Sequence, residues 1–301
     1  MTTLIGDRFG SSADIGVDMP NWDLGELRGA QITAFTDTTV TFTADSHTYV
    51  LRGHDFTFDV SGDTTTLAGG TIRHIDVFAE PRTSSDPEFS IGRFTMTVDR
   101  FHGFVDCDDA AGFEDALFSN RDHMFGGSGI DTLTGLMGDD CLHGGCGNDV
   151  LRGGGGDDWL QGDRGADFLV GGAGNDFFVF ANAKDSGGGV YDTIYRLDHL
   201  DKIVVPGGVT GFDGQVDAGA SNSFNVDPVL SAALDADHLG AHHAAIATAQ
   251  VAIRHGPIVY QTYLVVDVNG VAGYQAGEDI AVLIANPHGL HQLGVDDFLA
   301  I

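Results

Sequence analysis

Between Gly126 and Val179 the chain returns to one pattern every nine residues. The six units read GGSGIDTLT, GLMGDDCLH, GGCGNDVLR, GGGGDDWLQ, GDRGADFLV and GGAGNDFFV. Aspartate falls at 131, 140, 149, 158, 167 and 176, and an apolar residue follows two places later as Leu133, Leu142, Leu151, Leu160, Leu169 and Phe178. Six residues rich in glycine, ending in a carboxylate, suit a turn that exposes its backbone carbonyls. Carbonyls and carboxylates are hard oxygen donors of the kind calcium takes. The remaining three residues have room for a short strand with one inward side chain. Such a strand cannot bury its apolar face alone, so neighbouring units must stack to make a core. Two units, eighteen residues, then form one flattened coil with turns on alternate edges. Asp131, Asp149 and Asp167 line one edge, and Asp140, Asp158 and Asp176 line the other. A glycine-rich linker with scattered acids would not hold this phase through six units.

This pattern resembles the calcium-binding nonapeptide array of the repeats-in-toxin (RTX) proteins. The resemblance implies a parallel β-roll with each ion held between turns eighteen residues apart. One turn gives the carbonyls of positions two and four with its Asp. The other gives those of positions one and three with its Asp. On one edge that implies Gly127, Gly129 and Asp131 with Gly144, Cys146 and Asp149, then Gly145, Gly147 and Asp149 with Gly162, Arg164 and Asp167. On the other it implies Leu136, Gly138 and Asp140 with Gly153, Gly155 and Asp158, then Gly154, Gly156 and Asp158 with Gly171, Ala173 and Asp176. A preceding unit, LFSNRDHMF, keeps the phase at Asp122 and Met124 but lacks the glycines. It offers a fifth pairing, Asp122 with Asp140, so four to five calcium ions are expected.

The formal net charge is −30 and the pI about 4.3, which argues against nucleic acid and anionic membrane surfaces as partners. So much like charge also opposes compaction until counter-ions bind. The opening MTTLIGDRFGSSADIG is not a basic segment followed by an apolar run, and no stretch approaches the ~18 apolar residues of a membrane span. The RTX resemblance implies export from a Gram-negative cell through a type I exporter that reads an uncleaved carboxy-terminal signal. The tail GVDDFLAI, an acidic pair followed by apolar residues, fits such a signal. Cys107, Cys141 and Cys146 are odd in number, match no zinc spacing and are expected as free thiols.

The flanks are read from periodicity. Residues 1–116 are expected to be all-β, because TTVTFTAD, TYVLRGHDFTFDV, GTIRHIDVFA and GRFTMTVD alternate in the manner of half-buried strands. LRGHDFTFDVSGDTTTLAGGTIRHIDVF resembles a segment found ahead of RTX arrays in bacterial surface proteins. No H-E-x-x-H or G-x-S-x-G occurs. The pairs His54/Asp55 and His74/Asp76 are expected as solvated surface on opposite strand faces. FFVFANAKDSGGGVYDTIYRLDHLDKIVV resembles the element closing RTX rolls in serralysins, through Asp192, Ile194, Asp201, Lys202 and Ile203. Further on, Asp227 is expected as an N-cap with Pro228 at the first helical position. His238 and His242 would then share a solvated helix face, with His243 beside them. The segment QTYLVVDVNGVAGYQAGEDIAVLIA is expected as a strand, a turn and a strand, and resembles the end of bluetail-type bacterial surface proteins. Its Asp267, Asn269 and Glu278 sit at places one, three and twelve of a calcium loop, without the glycine at six.

The expected fold is therefore mainly β. A calcium-loaded parallel β-roll over 117–205 is flanked by a β-domain over 1–116 and a β-rich segment with one short helix over 206–301. The expected function is that of a secreted, calcium-binding, non-catalytic surface, matrix or adhesion protein. Its partners would be calcium, the exporter and an extracellular glycan or a second copy of the chain. The alternative is a polysaccharide-active enzyme or glycan-binding module with its site in residues 1–116.

Overall fold

The structure is a computed structural model. It describes residues 3–5, 27, 30–44, 47–61, 64–79, 89–107, 110–118, 120–198, 200–221, 223, 225–252, 258–287 and 293–301. Two sheets carry the described strands, one of twelve and one of eight, and the roll is where they lie back to back.

Within the roll the strands are parallel and in register at eighteen residues. Thr132–Met137, Val150–Gly155 and Phe168–Ala173 form one face. His123–Phe125, Cys141–Cys146, Trp159–Arg164 and Phe177–Val179 form the other. Each six-residue strand runs through the x-U-x triplet into the first three residues of the next unit, so strands are twice as long as the triplet alone suggests. The second half of the strand is glycine-rich, which hides it from side-chain periodicity. Leu133, Leu142, Leu151, Leu160, Leu169 and Phe178 are fully buried between the faces, in one core cluster with Met124, Ile194 and Ile203.

Each face continues into a flank. The twelve-stranded face passes through Thr3–Ile5, which pairs parallel with His123–Phe125 and antiparallel with Phe89–Thr97. Beyond lies an antiparallel meander of Thr64–Ala79, His47–Ser61, Thr39–Thr43 and Gln31–Phe35. At its far end the same face is closed by Lys202–Val205 and the carboxy-terminal Phe298–Ala300. The eight-stranded face is closed by Thr193–Tyr195, then Ile280–Ala285, Ile258–Val266, His243–Ala252 and Gly211–Ser221. The expected strand–turn–strand near the carboxy terminus is the antiparallel pairing of Ile258–Val266 with Ile280–Ala285.

The amino-terminal flank is not all-β. Helices Val98–Cys107 and Ala110–Leu117 precede the roll. Val98, Phe101 and Val105 recur at helical spacing and are buried, and Phe101 and Phe104 each meet Phe113 edge-on. The preceding alternation in GRFTMTVD masks this change of period. The later helix is Asp227–Ala233, with Val226 rather than Asp227 at the N-cap, so proline takes the second helical position. It ends before His238, so His238 and His242 do not share a helix face. His238 instead meets Asp235 at 2.6 Å, and His243, at the start of a strand, meets Asp213 at 2.9 Å.

Candidate metal centre

The six array aspartates are all buried, each 2 % exposed or less. Their placement follows one rule. From Asp140 onward, the Oδ1 of each accepts the backbone N–H of the Asp one coil earlier: Asp131 to Asp149 at 2.8 Å, Asp149 to Asp167 at 2.7 Å, Asp140 to Asp158 at 2.9 Å and Asp158 to Asp176 at 3.1 Å. Asp122 joins the second row by donating to Asp140 at 2.7 Å, despite its missing glycines.

The rows do not end at Asp167 and Asp176, as the repeat count suggests. Asp167 donates to Asp192 at 2.8 Å and Asp176 to Asp201 at 3.0 Å. Both steps span twenty-five residues instead of eighteen. A single seven-residue lengthening between Asp176 and Asp192 explains both, since Asp192 and Asp201 are again nine apart. The nine-residue phase was therefore still there to be found, displaced by seven. A second, exposed ladder also escaped the motif. The side chains of Asp139, Asn148 and Asp157, one place before each Asp, accept the N–H of Asp157, Ala166 and Asn175.

The glycines make room for this arrangement. At position one, a Cβ on Gly144 or Gly153 would overlap the Oδ2 of its own unit's Asp149 or Asp158. At position four, Gly147 and Gly156 have φ of 138° and 130°, and a Cβ there would overlap the carbonyl oxygen of Gly129 or Gly138 one coil earlier. Carbonyls of positions two and four thus point along the edge toward the next coil. Leu136 and Asp163 take left-handed φ at position two without being glycine, at 70° and 65°. The carbonyls of Gly155, Arg164 and Ala173 each accept one backbone N–H, which leaves the second lone pair of each oxygen.

The second carboxylate oxygen is what the protein itself does not satisfy. Among the described residues, Oδ2 of Asp140, Asp149, Asp158, Asp167, Asp176 and Asp192 is buried without a hydrogen-bond partner. Burial pushes the carboxyls up, to about 8 at Asp140, about 7 at Asp149 and Asp176, and about 6 at Asp158 and Asp167. The backbone N–H bonds oppose this, and neighbouring carboxylates along the row add to it. Asp192 is also raised well above the usual carboxylate range, again by burial first. Rows of buried oxygen donors with no cation of their own fit a hard divalent ion. Among the described residues no three His, Cys, Asp or Glu side chains converge on one point. That is consistent with cages built mainly of backbone carbonyls, each bridged by two carboxylates.

Elsewhere the candidate residues are distributed differently. His74 and Asp76, two apart, share a strand face: Asp76 is buried and takes His74 at 2.7 Å and Arg52 at 2.9 Å. His54 and Asp55 meet at 2.7 Å because Asp55 has a left-handed φ of 59°. In the carboxy-terminal loop Asp267 is buried, but its partner in burial is Asp279, while Glu278 is exposed. Both oxygens of Asp267 and of Asp279 accept backbone N–H groups. The cysteines are free thiols.

Parallel coils in an eighteen-residue register, with a buried Asp on each edge per coil, define a calcium-binding β-roll. The comparison with known families agrees: residues 118–151 and 147–178 match the RTX calcium-binding nonapeptide repeat (four copies), repeats that bind calcium and typify extracellular bacterial proteins. Among solved structures, the chain is similar to the solution structure of the AlgE6R3 subunit from the Azotobacter vinelandii mannuronan C5-epimerase. Identity is 23 %, over 60 % of this chain and 79 % of that one, with a TM-score of 0.24. No curated protein matches the chain. Among the described residues no helix is long and apolar enough to cross a membrane.

Proposed function

We propose that this chain is a secreted bacterial protein whose roll folds on binding calcium outside the cell, and that it serves as a non-catalytic surface, matrix or adhesion component. The observation that carries the reading is the set of partnerless buried Oδ2 atoms along both edges. On one edge, Gly127, Gly129 and Asp131 with Gly144, Cys146 and Asp149 would hold one ion, and Gly145, Gly147 and Asp149 with Gly162, Arg164 and Asp167 the next. On the other, Leu136, Gly138 and Asp140 face Gly153, Gly155 and Asp158, and Gly154, Gly156 and Asp158 face Gly171, Ala173 and Asp176. Asp122 with Asp140 makes a fifth position. The chemistry the ion supplies is charge neutralisation, not catalysis.

Magnitudes support the folding role. Keeping Asp149 ionised at neutral pH without a cation, when burial moves its carboxyl to about 7, costs of order 4 kcal/mol against a solvated aspartate. A few such groups outweigh the roughly 5–15 kcal/mol of a typical domain. Extracellular calcium modules bind at ~10⁻⁴–10⁻³ M. With free calcium ten-fold above that, each ion contributes about 1.4 kcal/mol by mass action. In a cytoplasm far below it, the same contribution vanishes and the chain stays open for export. A type I exporter would read the last sixty or so residues.

The test is export itself. Residues 240–301 fused to a passenger should reach the medium in a host with a compatible type I exporter. If the tail is dispensable and removal of the amino terminus blocks export instead, the secretion route is wrong.

A further inference from the structure

On the edge that carries Asp149, Asp167 and Asp192, the residues one place earlier are Asn148, Ala166 and Tyr191. The matching places on the other edge are Asp139, Asp157 and Asn175, where Asp139 and Asp157 each accept the next coil's N–H. Oδ1 of Asn148 likewise accepts the N–H of Ala166 at 3.0 Å, but Ala166 has no polar side chain to carry the ladder on. The ladder stops there, and a cleft of about 370 Å³ lies between Asn148 and Tyr191. Its far wall belongs to the eight-stranded sheet. Tyr263 and Leu283 are register partners there, and Gln261 lies two places from Tyr263 on the same face.

The walls combine apolar surface with oriented donors. Oδ1 of Asn148 is taken up by Ala166, and Oε1 of Gln261 accepts the Tyr263 hydroxyl at 2.8 Å. Among the described residues neither amide nitrogen has an acceptor, so each amide keeps its NH₂ for a ligand. The Tyr191 hydroxyl donates to buried Asp227 at 2.8 Å, and its ring meets Tyr263 edge-on with centroids 5.4 Å apart. Tyr191 therefore has its polar end tied and offers the cleft a ring. Among the described residues no charged side chain lines the cleft. An anion would find no counter-charge there, on a chain whose net charge is −30. Apolar walls with a few fixed donors are the usual make-up of a small-molecule site. This set matches an uncharged ring with C–H faces and oxygen-bearing edges.

We propose that this cleft binds a neutral glycan through about one or two pyranose rings, as suits a volume near the lower end of ligand sites. Asn148 and Gln261 donate to the sugar oxygens, and Tyr191 and Leu283 take its apolar face. The inference rests on the surface, matrix or adhesion role proposed above and names the ligand class for it. Asn148 and Ala166 stand in the turns that end in Asp149 and Asp167, so calcium in the roll sets one wall of the cleft. Sugar binding is therefore calcium-dependent, although the contacts to the sugar are the protein's own.

The probes are the methyl glycosides of glucose, galactose, mannose and N-acetylglucosamine, with methyl glucuronoside as the anionic comparator. Saturation-transfer NMR on the full-length chain in millimolar calcium reads binding. At least one neutral glycoside should bind, more tightly than the glucuronoside, and its signal should vanish in chelator. Asn148→Asp and Gln261→Glu keep the oxygen that holds Ala166 or Tyr263 and remove the NH₂ donor, so each should weaken binding about ten-fold. Ala166→Trp, at an exposed position, should fill the gap and abolish binding. Calcium-induced circular dichroism verifies that each variant folds. A chain that calcium does not fold would overturn the proposed function itself. A folded chain that binds none of the four neutral glycosides, binds the glucuronoside as tightly, or still binds as Ala166→Trp would overturn the cleft alone.

Discussion

Two buried carboxylate environments stand side by side in this molecule. In the amino-terminal meander Asp76 is buried, but Arg52 reaches it at 2.9 Å and His74 at 2.7 Å. In the roll Asp140, Asp149, Asp158, Asp167 and Asp176 are buried as deeply, and each keeps an oxygen with no partner among the described residues. The meander carries its own cations and is complete as a chain. On the proposed function, the roll depends on an ion from its surroundings. Buried charge is tolerated only when paired, and the source of the pairing decides whether folding is intrinsic or conditional.

Calcium removal should separate the two regions most sharply. In chelator the chain from about residue 117 onward should lose its ordered β signal, and millimolar calcium should restore it cooperatively. Magnesium should not, because its small octahedral shell fits these carbonyl cages poorly. Circular dichroism, with hydrogen exchange to locate the change, reads the outcome. A spectrum indifferent to chelator would erase the contrast.

Protons should act as a weak substitute for calcium. The roll carboxyls, raised from 3.8 to between about 6 and 8, hold a proton more tightly when folded than when unfolded. Their contribution to calcium-free stability is complete below about pH 4 and is lost as pH rises through the folded values to about 8. Chelated protein brought from pH 8 to pH 5 should therefore regain part of its β signal. Stability that rises with pH over that range would contradict the assignment.

Within the roll, position should matter. In a shared-edge arrangement Asp149 and Asp158 each serve two ions, and losing one carboxylate should remove about 3 kcal/mol of calcium-dependent stability. Asp131→Ala should remove about 1.4 kcal/mol. The rows continue to Asp192 and Asp201, so Asp167→Ala and Asp176→Ala should behave as interior positions. Calorimetric titration gives stoichiometry and midpoint together. Equal losses everywhere would mean that each turn keeps its own ion. The smallest effect belongs to the meander: Arg52→Met should cost about 1–3 kcal/mol by leaving part of Asp76 unsatisfied, and that cost should not vary with calcium.

The roll was legible because one period wrote both its core and its edges: Leu133 to Phe178 and Asp131 to Asp176 follow from counting by nine. What escaped were features that broke the count or changed period. Asp192 and Asp201 are legible as part of the closing element, but a seven-residue lengthening hides that they continue the aspartate rows, and the helix at Val98–Cys107 follows directly on a strand. Asp76 was misjudged for a simpler reason. Two residues apart on a strand is the same face, and its partner Arg52 comes from the neighbouring strand, a contact that only pairing reveals.

The alternation of edges also limits how such a chain can change by duplication. One face of the roll leads to the amino-terminal meander and to Phe298–Ala300, and the other to the antiparallel strands that begin at Ile280–Ala285. Copying a single unit of nine would send every later strand to the opposite face, and Thr193–Tyr195 would arrive where Lys202–Val205 now closes the stack. Copying two would restore every contact one coil further out. Inheritance in this architecture is counted in pairs, so viable descendants should differ by whole coils, while odd gains survive only at a price in the flanking sheets.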